Sequence, residues 1–322
     1  MEAQGFRLTL PDAQKIEEAA GRIAALIRRT PVRRSDALDA RLGAELFFKC
    51  ENEQRCGAFK LRGAANAVLS LSEDEARAGV ATHSSGNHAQ ALAYAARARG
   101  IEAHVVMPSD APRIKREACA GWGARIIECA PTLEARERTL EAFVRSQGSV
   151  VIHPYDDLRV IAGQGTVARE LLAQIPELDA IVAPLGGGGL LSGTAIAAAA
   201  DPARPAVWGA EPANADDAHR SLGAGALLPS LNPTTIADGL RTSLCPRTFR
   251  ALRELSRGVL LASEAEILEA MRLIWLHLEM RVEPSAAVPL AALLAQPRPI
   301  GRRIGLLVSG GNVDVDRFAA FR

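Results

Sequence analysis

No sign of charge prevails in this sequence: 38 lysines and arginines stand against 37 aspartates and glutamates, a formal charge of +1. Without a basic excess there is no electrostatic footprint for nucleic acid or anionic lipid. Cysteine is equally sparse. Cys50, Cys56, Cys119, Cys129 and Cys245 are odd in number and never stand as Cys-x-x-Cys, so neither a disulfide framework nor a zinc finger is indicated and a reducing compartment is the simplest reading. Cys56 and Cys245 read as packing residues, since no histidine pair to activate them is predictable. The opening residues Met1-Glu2-Ala3-Gln4-Gly5-Phe6-Arg7 lack the apolar core of a signal peptide, and Glu2 speaks against a transit peptide. A cytoplasmic location is expected. Residues 180–200 are uncharged, yet Pro184 and the glycines 186–189 interrupt them, which favours a buried strand, a glycine loop and a helix over a membrane span. No internal repeat or low-complexity linker is evident.

What is present is an ordinary globular composition, 48% apolar and 23% charged over 322 residues. A chain of this length suits two domains or one large α/β unit and buries about three quarters of its extended surface. Helical and strand patterns alternate almost throughout, which predicts α/β architecture with mostly parallel sheets flanked by helices. Asp12 reads as the cap of a helix with Ile16, Ala19, Ala20, Ile23 and Ile27 on one stripe. Strands are expected at 45–50, 80–83, 103–107, 125–129, 150–153, 180–184, 207–211, 259–262 and 303–309. Among the intervening helices are 87–99, 132–147 and 263–280. So many strands exceed one comfortable sheet. The expected division is a large domain from 1–78 and 149–322, with a small domain, 79–148, inserted in it.

Three segments could carry chemistry. Gly186, Gly187, Gly188 and Gly189 follow the apolar strand Ile181-Val182-Ala183-Pro184-Leu185 and precede a helix starting near Leu190. Successive N–H groups can converge there on an anion, helped by the positive end of the helix, and a phosphate is the natural guest. The spacing matches neither a dinucleotide fingerprint nor a P-loop. Lys60, in Gly57-Ala58-Phe59-Lys60-Leu61-Arg62-Gly63-Ala64, stands between two large apolar residues. Its amine would have the depressed pKa a nucleophile needs, unless it simply snorkels to the surface. Thr82-His83-Ser84-Ser85-Gly86-Asn87-His88-Ala89-Gln90 turns a strand end into a helix through residues that either cap the helix or bind a carboxylate.

Together and in this order, these segments resemble the fold type II pyridoxal-phosphate enzymes, specifically the serine/threonine dehydratase (threonine ammonia-lyase) and serine racemase group. The resemblance runs from Asp12 to Ser309-Gly310-Gly311-Asn312. It also takes in Lys49-Cys50-Glu51-Asn52-Glu53-Gln54, Val160-Ile161-Ala162-Gly163-Gln164-Gly165-Thr166 and Ala237-Asp238-Gly239. It implies a fold like that of the tryptophan synthase β chain, with two open, twisted, mostly parallel sheets. By this similarity Lys60, beside Phe59, carries the pyridoxal phosphate and later moves protons at the substrate α-carbon. Glycines 186–189 would bind the phosphate, Gly239 would lie at the cofactor, Asn87 would bond its phenolic oxygen, and Ser309 would face its pyridine nitrogen. A serine there does not keep that nitrogen protonated, which suits β-elimination better than transamination. Ser84, Ser85, Gly86, Asn87 and His88 would receive the substrate carboxylate, with Tyr155 nearby.

The implied reaction is loss of ammonia from a β-hydroxy amino acid such as L-serine, L-threonine or 3-hydroxyaspartate, giving a 2-oxo acid. Ser85 matches the serine that works on the opposite face of the α-carbon in racemases, so a racemase is the runner-up. A non-catalytic amino-acid or phosphate-binding protein is the third reading. Glu211-Pro212-Ala213-Asn214-Ala215-Asp216-Asp217 looks like the racemase-type metal loop, and that match assigns Glu211, the Ala215 carbonyl and Asp217 to Mg²⁺, or to Ca²⁺ or Mn²⁺. His153 with Asp156 and Asp157 is a weaker metal candidate. Ala58 and Cys56 depart from the family's usual serine and threonine. Tyr155, standing where a racemase can have asparagine, favours the dehydratase. A homodimer is the family expectation. Because the chain ends soon after Asn312, no C-terminal regulatory domain and no inhibition by isoleucine are expected.

Overall fold

A computed structural model describes residues 9–111 and 113–314; the segment Met1 to Arg7, read above for targeting, lies outside them. Ten strands occur among the described residues: β1 (Val32–Arg33), β2 (Glu45–Cys50), β3 (Val80–His83), β4 (Ala103–Pro108), β5 (Arg125–Cys129), β6 (Val150–Val151), β7 (Ala180–Pro184), β8 (Ala206–Pro212), β9 (Gly258–Ala262) and β10 (Arg303–Val308). They form a six-stranded sheet, β1-β2-β10-β7-β8-β9, and a four-stranded sheet, β5-β4-β3-β6. Every pairing is parallel except that of β1 with β2.

The larger sheet is apolar on both faces, as a parallel sheet covered by helices must be. Alternation along each strand sorts its side chains. Leu46, Phe48, Ala180, Val182, Ile304, Leu306 and Val308 join one core with the helices Glu264–Leu278 and Pro284–Leu294. Phe47, Ile181, Ala183 and Leu307 point the other way, into a core with the helices Leu158–Gln174, Gly189–Ala200 and Pro246–Leu255. A third core joins Val105 and Met107 of the smaller sheet to the helices Lys60–Leu69 and Asn87–Arg99. Helix starts follow their caps: Asp12 accepts from the Lys15 N–H at 2.9 Å, and Thr132 from the Ala135 N–H at 3.1 Å.

The carboxyl ends of β3, β6, β7 and β10 lead directly into residues 84–88, 152–157, 185–189 and 309–312. These four segments thus leave the ends of parallel strands, where open α/β sheets bind their ligands.

Candidate active site

Lys60 opens the helix Lys60–Leu69 behind a left-handed turn at Cys56 and Gly57, with φ of 63° and 68°. The far end of the chain pins that turn. Gly311 N–H donates to the Gly57 carbonyl at 2.9 Å, Phe59 N–H to the Ser309 carbonyl at 3.0 Å, and Asn312 Nδ2 to the Cys56 carbonyl at 2.7 Å. Buried Ser309 is thereby delivered beside Lys60. The Lys60 amine donates to the Pro154 carbonyl at 3.0 Å and lies 5.1 Å from the Phe59 ring centre. It does not snorkel. Burial pulls its pKa down to about 8 against the opposing field of Glu283, so part of the amine is unprotonated near neutral pH, as a nucleophile or base requires.

Asn87 starts the helix Asn87–Arg99, and its amide donates to both Glu283 oxygens at 3.0 Å. Its own oxygen accepts from Asn312 Nδ2 at 2.9 Å. Glu283 is buried, and burial is the chief reason that its carboxyl is pushed up to about 7. The sequence reading gave no role to Glu283 or Asn312; their bonds span 196 and 225 residues, a separation with no local signal. In the loop before the helix, Ser84 Oγ accepts from the Gly86 N–H at 3.2 Å, while Ser85 and Gly86 are half-buried. His88 is buried and donates from Nε2 to the Ile152 carbonyl at 3.0 Å. Burial drives its pKa down to about 3, so it is a neutral structural imidazole.

The glycine loop has the expected shape. Among the described residues, the amides of Gly186, Gly187 and Gly188 donate to no acceptor, leaving a set of converging N–H groups suited to an anion. A β-carbon at Gly187 would lie 2.3 Å from the Tyr155 ring, and Gly188 has a φ of +86°. Tyr155, expected at the substrate, thus walls the glycine loop with its ring. Gly239, expected at the cofactor, lies against Gly186 and donates its N–H to Ser285 Oγ at 3.2 Å. Lys60, the glycine loop and Ser309 together fit pyridoxal phosphate: a free amine, a cradle of unpaired amides and a serine hydroxyl on a buried strand end. Gly187→Ala is expected to weaken cofactor binding about tenfold or more through overpacking against Tyr155. A cofactor titration of the apoprotein checks this, and wild-type affinity would remove the glycines from the cradle.

His153 begins the segment that carries both Pro154 and Tyr155. Its Nδ1 accepts from the backbone N–H of Asp156 at 2.8 Å and of Tyr155 at 3.3 Å. Its ring lies edge-on to Tyr155 at 4.6 Å and to His83 at 6.3 Å between centres. Asp156 pairs with Arg247 at 2.7 Å, and Asp157 caps the helix Leu158–Gln174 and pairs with Arg159 at 2.7 Å. The weaker metal candidate at His153, Asp156 and Asp157 therefore fails. Each of its members is already committed elsewhere.

At the end of β8, Glu211 and Asp217 are both fully buried, and the nearby Arg220 is paired with Asp216 at 2.8 Å. Glu211 accepts from the N–H groups of Ala218 at 3.1 Å and His219 at 2.9 Å. Asp217 accepts at Oδ2 from the Leu244 N–H at 3.2 Å, while its Oδ1 meets no hydrogen-bond partner. Burial first, and mutual repulsion after it, push Glu211 up to about 8; burial pushes Asp217 up to about 6. Ala215, also buried, lies on the same turn. Two buried carboxylates with an unpaired oxygen fit a divalent cation. No group of three histidine, cysteine or acidic side chains is placed to hold a metal ion among the described residues, so the candidate set needs the Ala215 carbonyl.

Beneath Lys60, Arg62 is wholly buried between two acids. It bonds Glu51 at 2.8 and 2.7 Å and Glu170 at 2.8 and 2.9 Å. Glu170 also takes Lys49 Nζ at 2.8 Å, and Thr30 Oγ1 donates to Glu51 at 2.6 Å. Two turns of chain and the helix Leu158–Gln174 are locked together directly under the reactive amine.

The family model described as pyridoxal-phosphate dependent enzyme matches residues 23–310. A beta-hydroxyaspartate dehydratase of Paracoccus denitrificans (strain Pd 1222) is 48% identical over 309 residues, covering 96% of this chain and 98% of its own. A serine racemase of Dictyostelium discoideum is 46% identical over 313 residues, covering 96% of each. The solved structure of maize serine racemase superposes with a TM-score of 0.94 at 43% identity, covering 97% of each chain.

Proposed function

Since the chain belongs to the pyridoxal-phosphate dependent enzymes, we propose that it is an ammonia-lyase converting a β-hydroxy amino acid to a 2-oxo acid and ammonia. The amino acids concerned are 3-hydroxyaspartate, threonine and serine. The observation that carries this reading is the half-buried Lys60, whose amine pairs with no carboxylate among the described residues and is held by the Pro154 carbonyl, next to the Tyr155 that walls the glycine loop. When bound, the cofactor withdraws electrons from the substrate α-carbon. Lys60 holds the cofactor and, once freed, takes the α-proton; its depressed pKa keeps it competent for both tasks. Residues 84–88 receive the carboxylate, and glycines 186–189 hold the phosphate at their N–H groups. Asn87 and Ser309 orient the ring. The β-hydroxyl leaves as water with the proton that Lys60 took from the α-carbon, and a water then hydrolyses the released enamine to the 2-oxo acid and ammonia. Tyr155, standing where a racemase can have asparagine, supports the dehydratase over the racemase. Ser85 supports a minor racemase activity, the second reading. The test is a panel of 3-hydroxyaspartate, threonine and serine, both enantiomers, assayed for 2-oxo acid, ammonia and inverted substrate. Oxo acid and ammonia are expected, whereas inversion in excess of oxo acid would favour the racemase.

The proposal extends to the architecture, with 79–148 a small domain inserted in a large one, and to a cytoplasmic homodimer. No helix among the described residues is long and apolar enough to cross a membrane. It extends also to the metal. Glu211, the Ala215 carbonyl and Asp217 would hold Mg²⁺, relieving two buried charges and stabilising the fold away from the reacting carbon. Magnesium at 100 times its dissociation constant should stabilise the wild type by about 2.7 kcal/mol, read as a rise in melting temperature. Asp217→Asn should abolish that rise. A response that persists in the variant would mean the metal binds elsewhere.

A further inference from the structure

Gln164 has no task in the chemistry above, and it lies out of reach of solvent, at 0% exposure inside the helix Leu158–Gln174. Its Oε1 accepts from the Gly63 N–H at 3.1 Å, across 101 residues of chain, while its Nε2 meets no hydrogen-bond partner among the described residues. A buried amide with an unmade donor bond carries a cost that leucine or methionine in the same space would avoid. Packing alone therefore does not account for an amide here. The oxygen it offers to Gly63 does. The helix Lys60–Leu69 starts without a side-chain cap, because Phe59 stands at its N-cap. Its first turn closes through the Arg62 N–H, which donates to the Phe59 carbonyl at 2.9 Å, and the next donor, that of Gly63, goes to Gln164. Gln164 thus supplies, from a second helix, an acceptor that the start of the lysine helix lacks.

The same stretch sets the distance between the amine and the glycine cradle. A β-carbon on Gly163 would lie 2.5 Å from the Arg62 carbonyl oxygen, and one on Gly63 would lie 2.3 Å from Gln164 Nε2, so the two helices touch within one turn of Lys60. Gly165 meets Gly193 as closely, a β-carbon on Gly193 falling 2.5 Å from the Gly165 nitrogen. Gly193 belongs to the helix Gly189–Ala200, which begins at the glycine loop. One helix is thus wedged between the helix that carries the amine and the helix that leaves the cradle, with backbone against backbone on each side.

We propose that Gln164 is a positioning residue for Lys60: by capping the lysine helix at Gly63 it fixes where the amine stands relative to the glycine cradle, and so how well one cofactor reaches both. The inference rests on the reading of Lys60 as the cofactor's lysine and not on which amino acid is consumed. Two ligands separate the amine from the cradle. Pyridoxal 5'-phosphate engages both, whereas 4-deoxypyridoxine 5'-phosphate lacks the aldehyde, so the cradle can hold it but the lysine cannot bond it.

Gln164→Met removes the oxygen at similar volume. In titrations of the apoprotein this variant should lose about tenfold in affinity for pyridoxal phosphate, the effect of a displaced reacting group, while affinity for the deoxy analogue stays within about twofold of wild type. Gln164→Glu keeps an oxygen for the Gly63 N–H, since a carboxyl so buried stays protonated, and should restore most of the lost affinity. An equal loss for both ligands would make Gln164 a packing residue only and overturn the proposal. So would wild-type affinity for both, or a glutamate variant as weak as the methionine one. Failure of the Lys60 reading shows differently: the wild type itself would hold the two ligands equally, and the inference would fall with it.

Discussion

Lys60→Ala is expected to lower the rate of oxo-acid formation on the order of 10⁴-fold or more, since one residue both holds the cofactor and moves the α-proton, and general base catalysis alone contributes up to about that factor. The visible absorption of the lysine-bound cofactor should vanish with it. The fold should survive. Among the described residues the Lys60 side chain makes a single hydrogen bond, to the Pro154 carbonyl, and its desolvation already costs stability, so truncation removes an unfavourable burial. Added pyridoxal phosphate should still bind the apoprotein, though more weakly, through the glycine amides. Retained turnover in this variant would mean that another group carries the chemistry.

The second large effect is on stability. Arg62→Met strands Glu51, since Glu170 keeps Lys49 at 2.8 Å while Glu51 loses the cation beside it, with Arg62 and Glu51 both at 0% side-chain exposure. Removing one member of a buried ion pair costs about 3–5 kcal/mol, because the remaining charge stays buried and uncompensated. The unfolding midpoint in urea should fall accordingly. Adding Glu51→Gln to Arg62→Met should recover part of the loss, since it removes the charge that the first change stranded. A midpoint within about 1 kcal/mol of wild type would show the network to be dispensable. The consequence for catalysis is indirect: Arg62 fixes the first turn of the helix Lys60–Leu69, so the variant should also bind the cofactor less tightly.

Much of the fold was legible because its strands are short apolar runs between strong turn signals. Strands β3, β5 and β7 begin and end where the pattern places them, and the caps Asp12, Thr132 and Ser263 mark helix starts by residue type alone. The two residues of β1 carry no periodic signal and exist only through antiparallel pairing with Phe48 and Lys49. At 150–153 the apolar run suggested four strand residues, but only Val150 and Val151 pair with β3; His153 is turned by the backbone N–H groups that its Nδ1 accepts. Lys60 and the glycine loop could be recognised from neighbours close in sequence. The Asn312–Asn87–Glu283 chain, the seat of Tyr155 on Gly187 and the partners of Arg62 could not, because each is a contact between segments far apart in sequence that only the packing of two sheets brings together.

The most direct measurement is to reduce the purified holoenzyme with borohydride, digest it and map the cofactor by mass. The account predicts a pyridoxyl-phosphate adduct on Lys60 and on no other lysine. An adduct at Lys15, Lys49 or Lys115, or none at all, would contradict it.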